Sequence, residues 1–258
     1  MKFTILLIAA YVVLTAVLYL IQDKIIFQAV KLPANYKFEF AQEFTELSII
    51  TRDGHEINSI IFSPGNANLK GTVIYFHGNS DNMQRWGEYA VDFTSLGYAV
   101  LMIDYSGYGK TSGKPSEAQL FQDAEDTWLW AQDHLPSKEF IIYGRSMGAT
   151  LASRLASLHE PKHLVLETPF YELGLNHFDL FFPYGLKYQF ANYRYLPQVK
   201  CPVTIFQGTN DWVVPYSSAQ KLAPLLKPTD KFITIEKGGH KNLREFDKYH
   251  NELAKVLN

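Results

Sequence analysis

The chain has 258 residues, of which 47% are hydrophobic and 19% are charged, a balance typical of a globular protein with a sizeable core. Its formal net charge of −2 provides none of the basic field that nucleic acid requires, so no nucleic-acid partner is predicted. The single cysteine, Cys201, excludes an internal disulfide framework and any multi-cysteine metal site. We expect neither a metal nor a cofactor.

The N-terminal segment is apolar and uncharged from Phe3 to Ile21. This run of about 19 residues is the length that a helix needs to span a bilayer. A cleaved signal peptide is the alternative, but no pair of small residues follows the run to form a cleavage site. We predict a single-pass membrane anchor in residues 1–24, followed by a connector in residues 25–44.

The lysines that flank this segment are unevenly distributed. Lys24, Lys31 and Lys37 follow it, whereas only Lys2 and the terminal amine precede it. Because positive charge tends to stay on the cytoplasmic side of a membrane, we expect the rest of the chain to be cytoplasmic.

Short apolar runs alternate with amphipathic stretches through the rest of the chain, which predicts a mostly parallel sheet with helices on both faces. In such sheets ligands bind at the carboxyl ends of the strands. We predict one α/β domain over residues 45–258. The predicted strands are 47–51, 57–62, 72–76, 99–103, 140–143, 163–166, 203–206 and 232–235, and the predicted helices are 84–96, 117–134, 147–158, 217–226 and 243–257.

The segment Gly144-Arg145-Ser146-Met147-Gly148 fits the G-x-S-x-G nucleophile elbow. A predicted strand precedes it and a predicted helix follows it, as the elbow requires. The glycines make room for a tight turn, which lifts the Ser146 hydroxyl clear of the backbone at a helix N-terminus that favours developing negative charge. The alternative is a glycine-rich turn with an N-cap serine. We predict that Ser146 is a nucleophile.

A serine nucleophile needs a base that is oriented by an acid, in the chain order serine, acid, histidine for this elbow. Asp211 follows the predicted strand 203–206, and His240 follows the predicted strand 232–235. Glu167 also ends a strand and is the alternative acid. We predict the triad Ser146, Asp211 and His240.

Acyl transfer also needs hydrogen-bond donors for the oxyanion. The N–H group of Met147, directly after the nucleophile, is one predicted donor. The other is the N–H group of Asn79, in the His77-Gly78-Asn79 loop after an earlier strand. His77 is then a supporting residue and not a second base.

An insert between two predicted strands, residues 169–197, is dense in aromatic residues and predicts a small helical cap over the strand ends. We predict that Phe170, Phe181 and Phe182 bind substrate. An aromatic cap beside a bilayer favours an apolar acyl chain, although these rings also serve to pack a small cap onto its domain.

The chain resembles the membrane-anchored α/β-hydrolases related to the yeast bud-emergence protein and its bacterial counterparts. The resemblance covers about Leu47 to His240 and is carried by His77–Asn82, Asp104–Ser116, the elbow, Gly208–Pro215 and Gly239-His240. It implies an α/β-hydrolase fold with an eight-stranded sheet, an N-terminal anchor and the same triad. It also implies that Asp104–Ser116 is a structural loop beneath the site, in which relatives often have arginine where Ser106 stands.

The expected function is that of a serine hydrolase that cleaves a small-molecule acyl ester, a thioester or a lipid. The animal relatives that remove palmitate from proteins have an N-terminal cysteine cluster, which this chain lacks, so that activity is not carried over. A serine peptidase that uses Glu172 and Asp179 to hold a peptide terminus is the alternative. A catalytically silent membrane scaffold would be expected to lack a triad member, and none is missing.

Overall fold

A sheet of eight strands lies at the centre of the protein in the computed structural model, which describes residues 2–65, 69–136, 139–174 and 186–257. A separate pair of two-residue strands lies outside it. In chain order the strands are β1 (Gln28–Ala29), β2 (Phe44–Ile50), β3 (Glu56–Phe62), β4 (Gly71–Phe76), β5 (Ser80–Asp81), β6 (Tyr98–Ile103), β7 (Phe140–Arg145), β8 (His163–Glu167), β9 (Val203–Gly208) and β10 (Lys231–Ile235).

The α-helices of the described residues range from one turn to 25 residues in length. They are α1 (Lys2–Ile26), α2 (Met83–Trp86), α3 (Val91–Thr94), α4 (Glu117–His134), α5 (Met147–Leu158), α6 (Asn192–Tyr195), α7 (Tyr216–Gln220) and α8 (Asp247–Leu257). Single 3₁₀ turns occupy Gly87–Ala90, Leu196–Gln198, Ala223–Leu225 and Leu243–Glu245.

The order of strands in the large sheet is β10-β9-β8-β7-β4-β6-β3-β2. Neighbouring strands from β10 to β6 are parallel, and β3 and β2 add an antiparallel edge. The eight predicted strands all form, and the predicted mostly parallel α/β-hydrolase architecture is confirmed. Because the six central strands are parallel, their carboxyl ends, where Ser146, Asp211 and His240 follow, lie along one edge of the sheet.

Alternate residues of the central strands enter two separate cores, as the pleat of a strand dictates. Ile74 and Ile142 belong to the core beneath α4 and α5. Val73 and Ile141 belong to the core beneath α3 and α8. The sheet is therefore covered on both faces, which explains why its parallel strands are continuous apolar runs.

Three predicted helices are divided in the structure, and the last of them, 243–257, forms a 3₁₀ turn (Leu243–Glu245) and α8 (Asp247–Leu257). The stretch 84–96 forms α2, a 3₁₀ turn and α3, and a Cβ atom at Gly87 would collide with the rings of Phe40 and Phe62. The backbone approaches the rings more closely there than a regular helix with side chains allows. The stretch 217–226 forms α7 and a 3₁₀ turn that contains Pro224, which has no N–H group to continue an α-helix.

Helix α1 is long and apolar enough to cross a membrane, and most of its side chains are exposed. It extends two residues beyond the predicted anchor, to Ile26. The residues that follow are bound to the domain instead of forming a free connector: β1 pairs in parallel with β5, and the Leu32 N–H group donates to the Gly109 carbonyl at 2.9 Å.

The aromatic insert joins β8 to β9, and its described parts are residues 169–174 and 186–197. Asn192, at the start of α6, holds this segment on the domain. Its amide donates to Thr150 Oγ1 at 2.9 Å and to the Phe170 carbonyl at 2.8 Å, and its oxygen accepts from Ser153 Oγ at 2.9 Å. The insert is thus attached to α5, the helix that begins at the elbow.

Candidate active site

Ser146 stands between β7 and α5 in a conformation that non-glycine residues rarely adopt, with φ of +54° and ψ of −116°. The flanking glycines permit this turn. A Cβ atom at Gly144 would collide with the Gly148 carbonyl, and one at Gly148 would collide with the carbonyls of Phe76 and His77 on β4 and its loop. The strand, turn and helix of the predicted elbow are therefore all present, with a strained serine at the apex.

Asp211 and His240 come together from the ends of β9 and β10. The His240 Nδ1 atom lies 2.9 Å from Asp211 Oδ2, and the carboxylate is buried. The other carboxylate oxygen accepts the N–H groups of Val213 at 2.9 Å and Val214 at 2.7 Å. An ionised Asp211 accepts a hydrogen bond from the Nδ1–H group of His240. This tautomer leaves Nε2 as the basic nitrogen.

No hydrogen bond joins Ser146 Oγ to His240 among the described residues. In unliganded active sites such contacts are often long, and they shorten when substrate is bound. The structure thus forms the acid–base contact and places the serine at the same edge of the sheet.

Glu167, the alternative acid, is buried and engaged elsewhere. Its Oε2 atom accepts from the Tyr143 hydroxyl at 2.5 Å, and its Oε1 atom lies 3.7 Å from Arg145 Nε. Burial, followed by the Glu167 charge, raises the pKa of Tyr143 well above its usual value. The His240 ring has no recorded contact with Glu167 in the described residues, which favours Asp211 as the acid.

Arg145 is a site residue that the sequence did not identify. Its Nη2 atom donates to the backbone carbonyl of His240 at 2.6 Å, and the side chain is almost completely buried. Burial opposes its charged form, but the neighbouring Glu167 carboxylate raises its pKa above the usual value, so it stays protonated. Because Arg145 occupies an unspecified position of the elbow pattern, no local signal distinguished it.

Asn79 and Met147 both line the cavity that Ser146 faces. The Met147 N–H group is the first of α5, where a helix offers no internal acceptor, and the Asn79 N–H group has no acceptor among the described residues. The Asn79 side chain donates to the Ile26 carbonyl at 2.9 Å, and its carbonyl accepts from Gln28 N–H at 3.0 Å. Both predicted donors are thus unoccupied, and one of them is held by the end of α1.

The loop from Asp104 to Ser116 lies beneath the Asn79 loop. The Tyr105 hydroxyl donates to the His77 carbonyl at 2.7 Å, and Asp104 Oδ1 accepts the Met83 N–H group at 2.8 Å. Ser106, where relatives often have arginine, donates through its hydroxyl to Asp123 Oδ1 at 3.0 Å. His77 itself is buried, and its ring is tilted against the Tyr105 ring with 4.3 Å between the ring centroids, so it faces the interior and not the cavity.

A cavity of about 190 Å³ opens over Ser146, and its walls are mostly apolar. Predicted substrate residue Phe170 lines it, whereas Phe181 and Phe182 lie outside the described residues. The sequence did not anticipate the wall that α1 contributes through Ile25 and Ile26. The apolar run does continue through Ile25-Ile26-Phe27 beyond the charged pair Asp23-Lys24, and that continuation was the available signal.

Comparison with known proteins found one matching family model and several similar proteins. A family model described as "Serine aminopeptidase, S33" matches residues 67–192. The "Uncharacterized protein Rv2307c" of Mycobacterium tuberculosis is 28% identical over 202 residues, which cover 76% of this chain and 72% of that protein. Human "Alpha/beta hydrolase domain-containing protein 17B" is 27% identical over 214 residues, which cover 80% of this chain and 73% of that protein.

Solved structures of the same fold include the Pyrococcus furiosus esterase Pf2001, with a TM-score of 0.70, 20% identity, and coverage of 90% of this chain and 97% of that one. The esterase Est1E of Butyrivibrio proteoclasticus, solved with ferulic acid, matches with a TM-score of 0.62 and 17% identity over 82% of this chain and 96% of that one. At this level of identity the likeness shows the fold.

Proposed function

We propose that this chain, which has the α/β-hydrolase fold, is a serine hydrolase that cleaves a carboxylic ester or thioester of an apolar acyl group. Ser146 is the nucleophile, His240 the general base and Asp211 the residue that orients it. The observation that carries the proposal is the strained Ser146 in the lining of an apolar cavity, together with the 2.9 Å contact between Asp211 and His240 at the same edge of the sheet.

In the first step His240 Nε2 takes the hydroxyl proton of Ser146 while Oγ attacks the carbonyl carbon. The N–H groups of Met147 and Asn79 stabilise the oxyanion that forms. Collapse of this intermediate breaks the bond to the alcohol or thiol, which leaves with the proton from His240. The acyl group stays on Ser146 as an ester.

In the second step water attacks the acyl-enzyme and gives its proton to His240. The tetrahedral intermediate again uses the two N–H donors and collapses with release of the carboxylic acid, and Ser146 regains its proton. Each oxyanion donor contributes on the order of 3 kcal/mol in enzymes of this kind, so the attachment of Asn79 to α1 matters for the rate.

The apolar lining of the cavity supports an apolar acyl group as the substrate. Phe170 and Phe190 from the insert and Val214 from the loop after Asp211 all line it. Phe181 and Phe182 remain predicted substrate contacts. We expect turnover of p-nitrophenyl esters to rise with acyl length, and a flat profile would argue against an apolar acyl specificity.

A serine peptidase is the second candidate, supported by the name of the matching family model and by Glu172, which lines the same cavity. An exposed carboxylate there would pair with the free amino group of a peptide. Asp179, the other predicted carboxylate, lies outside the described residues. Turnover of aminoacyl p-nitroanilides by the wild-type protein would favour the peptidase. In that case Glu172→Gln should lose this turnover and retain ester turnover.

For localisation we propose that α1 is a single-pass membrane anchor and that the lysines after it keep the hydrolase domain in the cytoplasm. A protease-protection assay on intact cells or spheroplasts tests this orientation. If protease added outside the cells digests the domain without lysis, the domain lies on the outer side of the membrane and the proposed orientation is wrong.

The test of the catalytic assignment is Ser146→Ala. We expect kcat for a p-nitrophenyl ester to fall by at least about 10⁴-fold, because no other group replaces the nucleophile. A fluorophosphonate probe should label the wild-type protein at Ser146, as mapped by peptide mass spectrometry, and should not label the variant. Ser157→Ala, at the far end of α5, is the matched control and should keep full activity.

Retained activity in Ser146→Ala would contradict the assignment. Absence of both labelling and turnover in the wild-type protein would favour the non-catalytic scaffold.

A further inference from the structure

Trp212 is 94% exposed, more than any other large hydrophobic residue that the structure describes, and its neighbour Val213 is 61% exposed. Both follow the predicted catalytic acid, Asp211. An indole in water leaves a large apolar area solvated, which is costly unless another phase or molecule covers it.

The exposure of Trp212 does not come from a loose loop. Asp211 Oδ1 accepts the N–H groups of Val213 and Val214, and the amide of Gln207 donates to Asp211 Oδ2 at 3.2 Å and to the Val214 carbonyl at 3.1 Å. Turning Trp212 inward would break the contacts that hold the acid. The loop that orients His240 therefore also directs an indole outward.

The same loop meets the end of the proposed anchor at the cavity. Val213 lines the cavity together with Ile25 and Ile26, the last residues of α1. Two contacts of the last turns fix α1 at this position: Gln22 Oε1 accepts the Lys187 N–H group at 2.8 Å, and Asp23 Oδ1 accepts from the Tyr188 hydroxyl at 2.9 Å. The cavity thus opens where a membrane-spanning α1 leaves the bilayer.

We propose that Trp212 and Val213 contact the bilayer surface beside α1, and that the cavity takes a long-chain acyl ester from that leaflet. The inference rests on the proposed hydrolase function and anchor, and it names where the substrate comes from. Tryptophan is enriched at membrane–water interfaces because its ring is apolar and its N–H group stays hydrated. Ile25 and Ile26, at the end of α1, give the cavity an apolar wall on the side of the proposed anchor, against which the acyl chain can pack.

The location of Trp212 is tested by quenching of tryptophan fluorescence. Full-length protein is reconstituted into vesicles of dioleoylphosphatidylcholine or of its dibrominated analogue, in which bromine quenches nearby indoles. Of the four tryptophans, Trp86 and Trp128 are buried and Trp130 is partly buried. We expect the bromolipid to lower the wild-type emission and Trp212→Phe to remove most of that decrease. Equal quenching in both proteins would overturn the proposal.

The origin of the substrate is tested in the same vesicles with p-nitrophenyl palmitate, which dissolves in the bilayer, and p-nitrophenyl acetate, which stays in water. Trp212→Ser removes an indole that the proposal places in the bilayer surface. Loss of this apolar contact predicts that KM for the palmitate increases about tenfold. Turnover of the acetate should be unchanged, because the Trp212 side chain is exposed and the backbone contacts that hold Asp211 come from Val213, Val214 and Gln207. Leu158→Ser, an exposed apolar residue at the opposite end of α5, is the control.

The outcomes separate this inference from the proposed function. A wild-type protein that turns over neither ester contradicts the hydrolase, while bromolipid quenching still reports the position of Trp212. Normal acetate turnover with an unchanged palmitate KM in Trp212→Ser overturns the membrane route alone. That result, with no bromolipid quenching, would show that Trp212 does not contact the bilayer.

Discussion

Arg145 joins the two halves of the candidate site. Its side chain reaches from the residue before Ser146 to the backbone carbonyl of His240, and it packs 5.0 Å from the Trp86 ring and 4.9 Å from the Tyr89 ring. A buried guanidinium with its partners in place restricts the loop that presents the imidazole. We interpret Arg145 as a positioning residue for His240.

Arg145→Met should lower both stability and kcat. The Glu167 carboxylate would be left buried without its cation, which costs about 3–5 kcal/mol in such pairs. Arg145→Met combined with Glu167→Gln should recover much of the melting temperature, because the unpaired charge is gone, but not kcat, because the His240 carbonyl still lacks its donor. Thermal unfolding and p-nitrophenyl ester kinetics measure the two effects.

Arg85→Met, which breaks a partly exposed pair with Asp81, is the control and should change kcat little. If the double variant regained wild-type kcat together with stability, Arg145 would be a purely structural residue.

Helix α5 can start directly after Ser146 only because its second residue is Gly148. At this position the helix packs directly against the carbonyls at the end of β4, closer than any side chain permits. Met147 and Asn79 line the same cavity as Ser146. The elbow is therefore a packing arrangement of three elements as much as a local turn.

Gly148→Ala should destabilise the fold, because its methyl group would overlap backbone atoms that cannot rotate away. Overpacking of this kind costs about 1–3 kcal/mol and more when backbone must move. Gly239→Ala is the matched control, since its Cβ atom would meet nothing closer than 3.4 Å. Differential scanning calorimetry should show a lower Tm for Gly148→Ala alone; an equal Tm in both variants would contradict the packing argument.

Cys201 can report whether the domain unfolds cooperatively. It lies in the core beneath α4 and α5, directly before β9, and burial raises the pKa of its thiol to about 11. Because its pKa is raised, the thiol stays neutral at pH values at which a free cysteine begins to ionise. At pH 8 only about one thiol in a thousand would be ionised, and that fraction is shielded by the core.

We therefore expect iodoacetamide to leave Cys201 unmodified in the native protein at pH 8 and to alkylate it only on unfolding. Mass spectrometry across a urea series should give the same midpoint as circular dichroism if the domain unfolds as one unit. Cys201→Ser is the control for alkylation elsewhere. Labelling well below the dichroism midpoint would indicate that the β9 region opens independently.

Local sequence signals were sufficient to predict the strands and the chain order of the candidate catalytic residues. The eight strands are short apolar runs, and such runs can be recognised in the sequence without knowing which strands pair. The elbow is recognisable because both glycines and the serine belong to one turn, and Asp211 and His240 were found because each follows a strand. The predicted helix 84–96 is helical up to Thr94, but its division was not foreseen, and the rings packed against it at Gly87 belong to Phe40 and Phe62, far away in the chain.

The sequence by itself determined the fold class, the apolar α1 segment and the candidate residues Ser146, Asp211 and His240, because backbone conformation and hydrophobic period are local properties. Only the tertiary structure decided that Arg145 contacts His240, 95 residues away, and that Asn79 contacts Ile26, 53 residues away. Such pairs form when strands from distant parts of the chain assemble side by side, so no local pattern encodes them. For this reason the end of α1, predicted as an anchor and connector, became a wall of the candidate site.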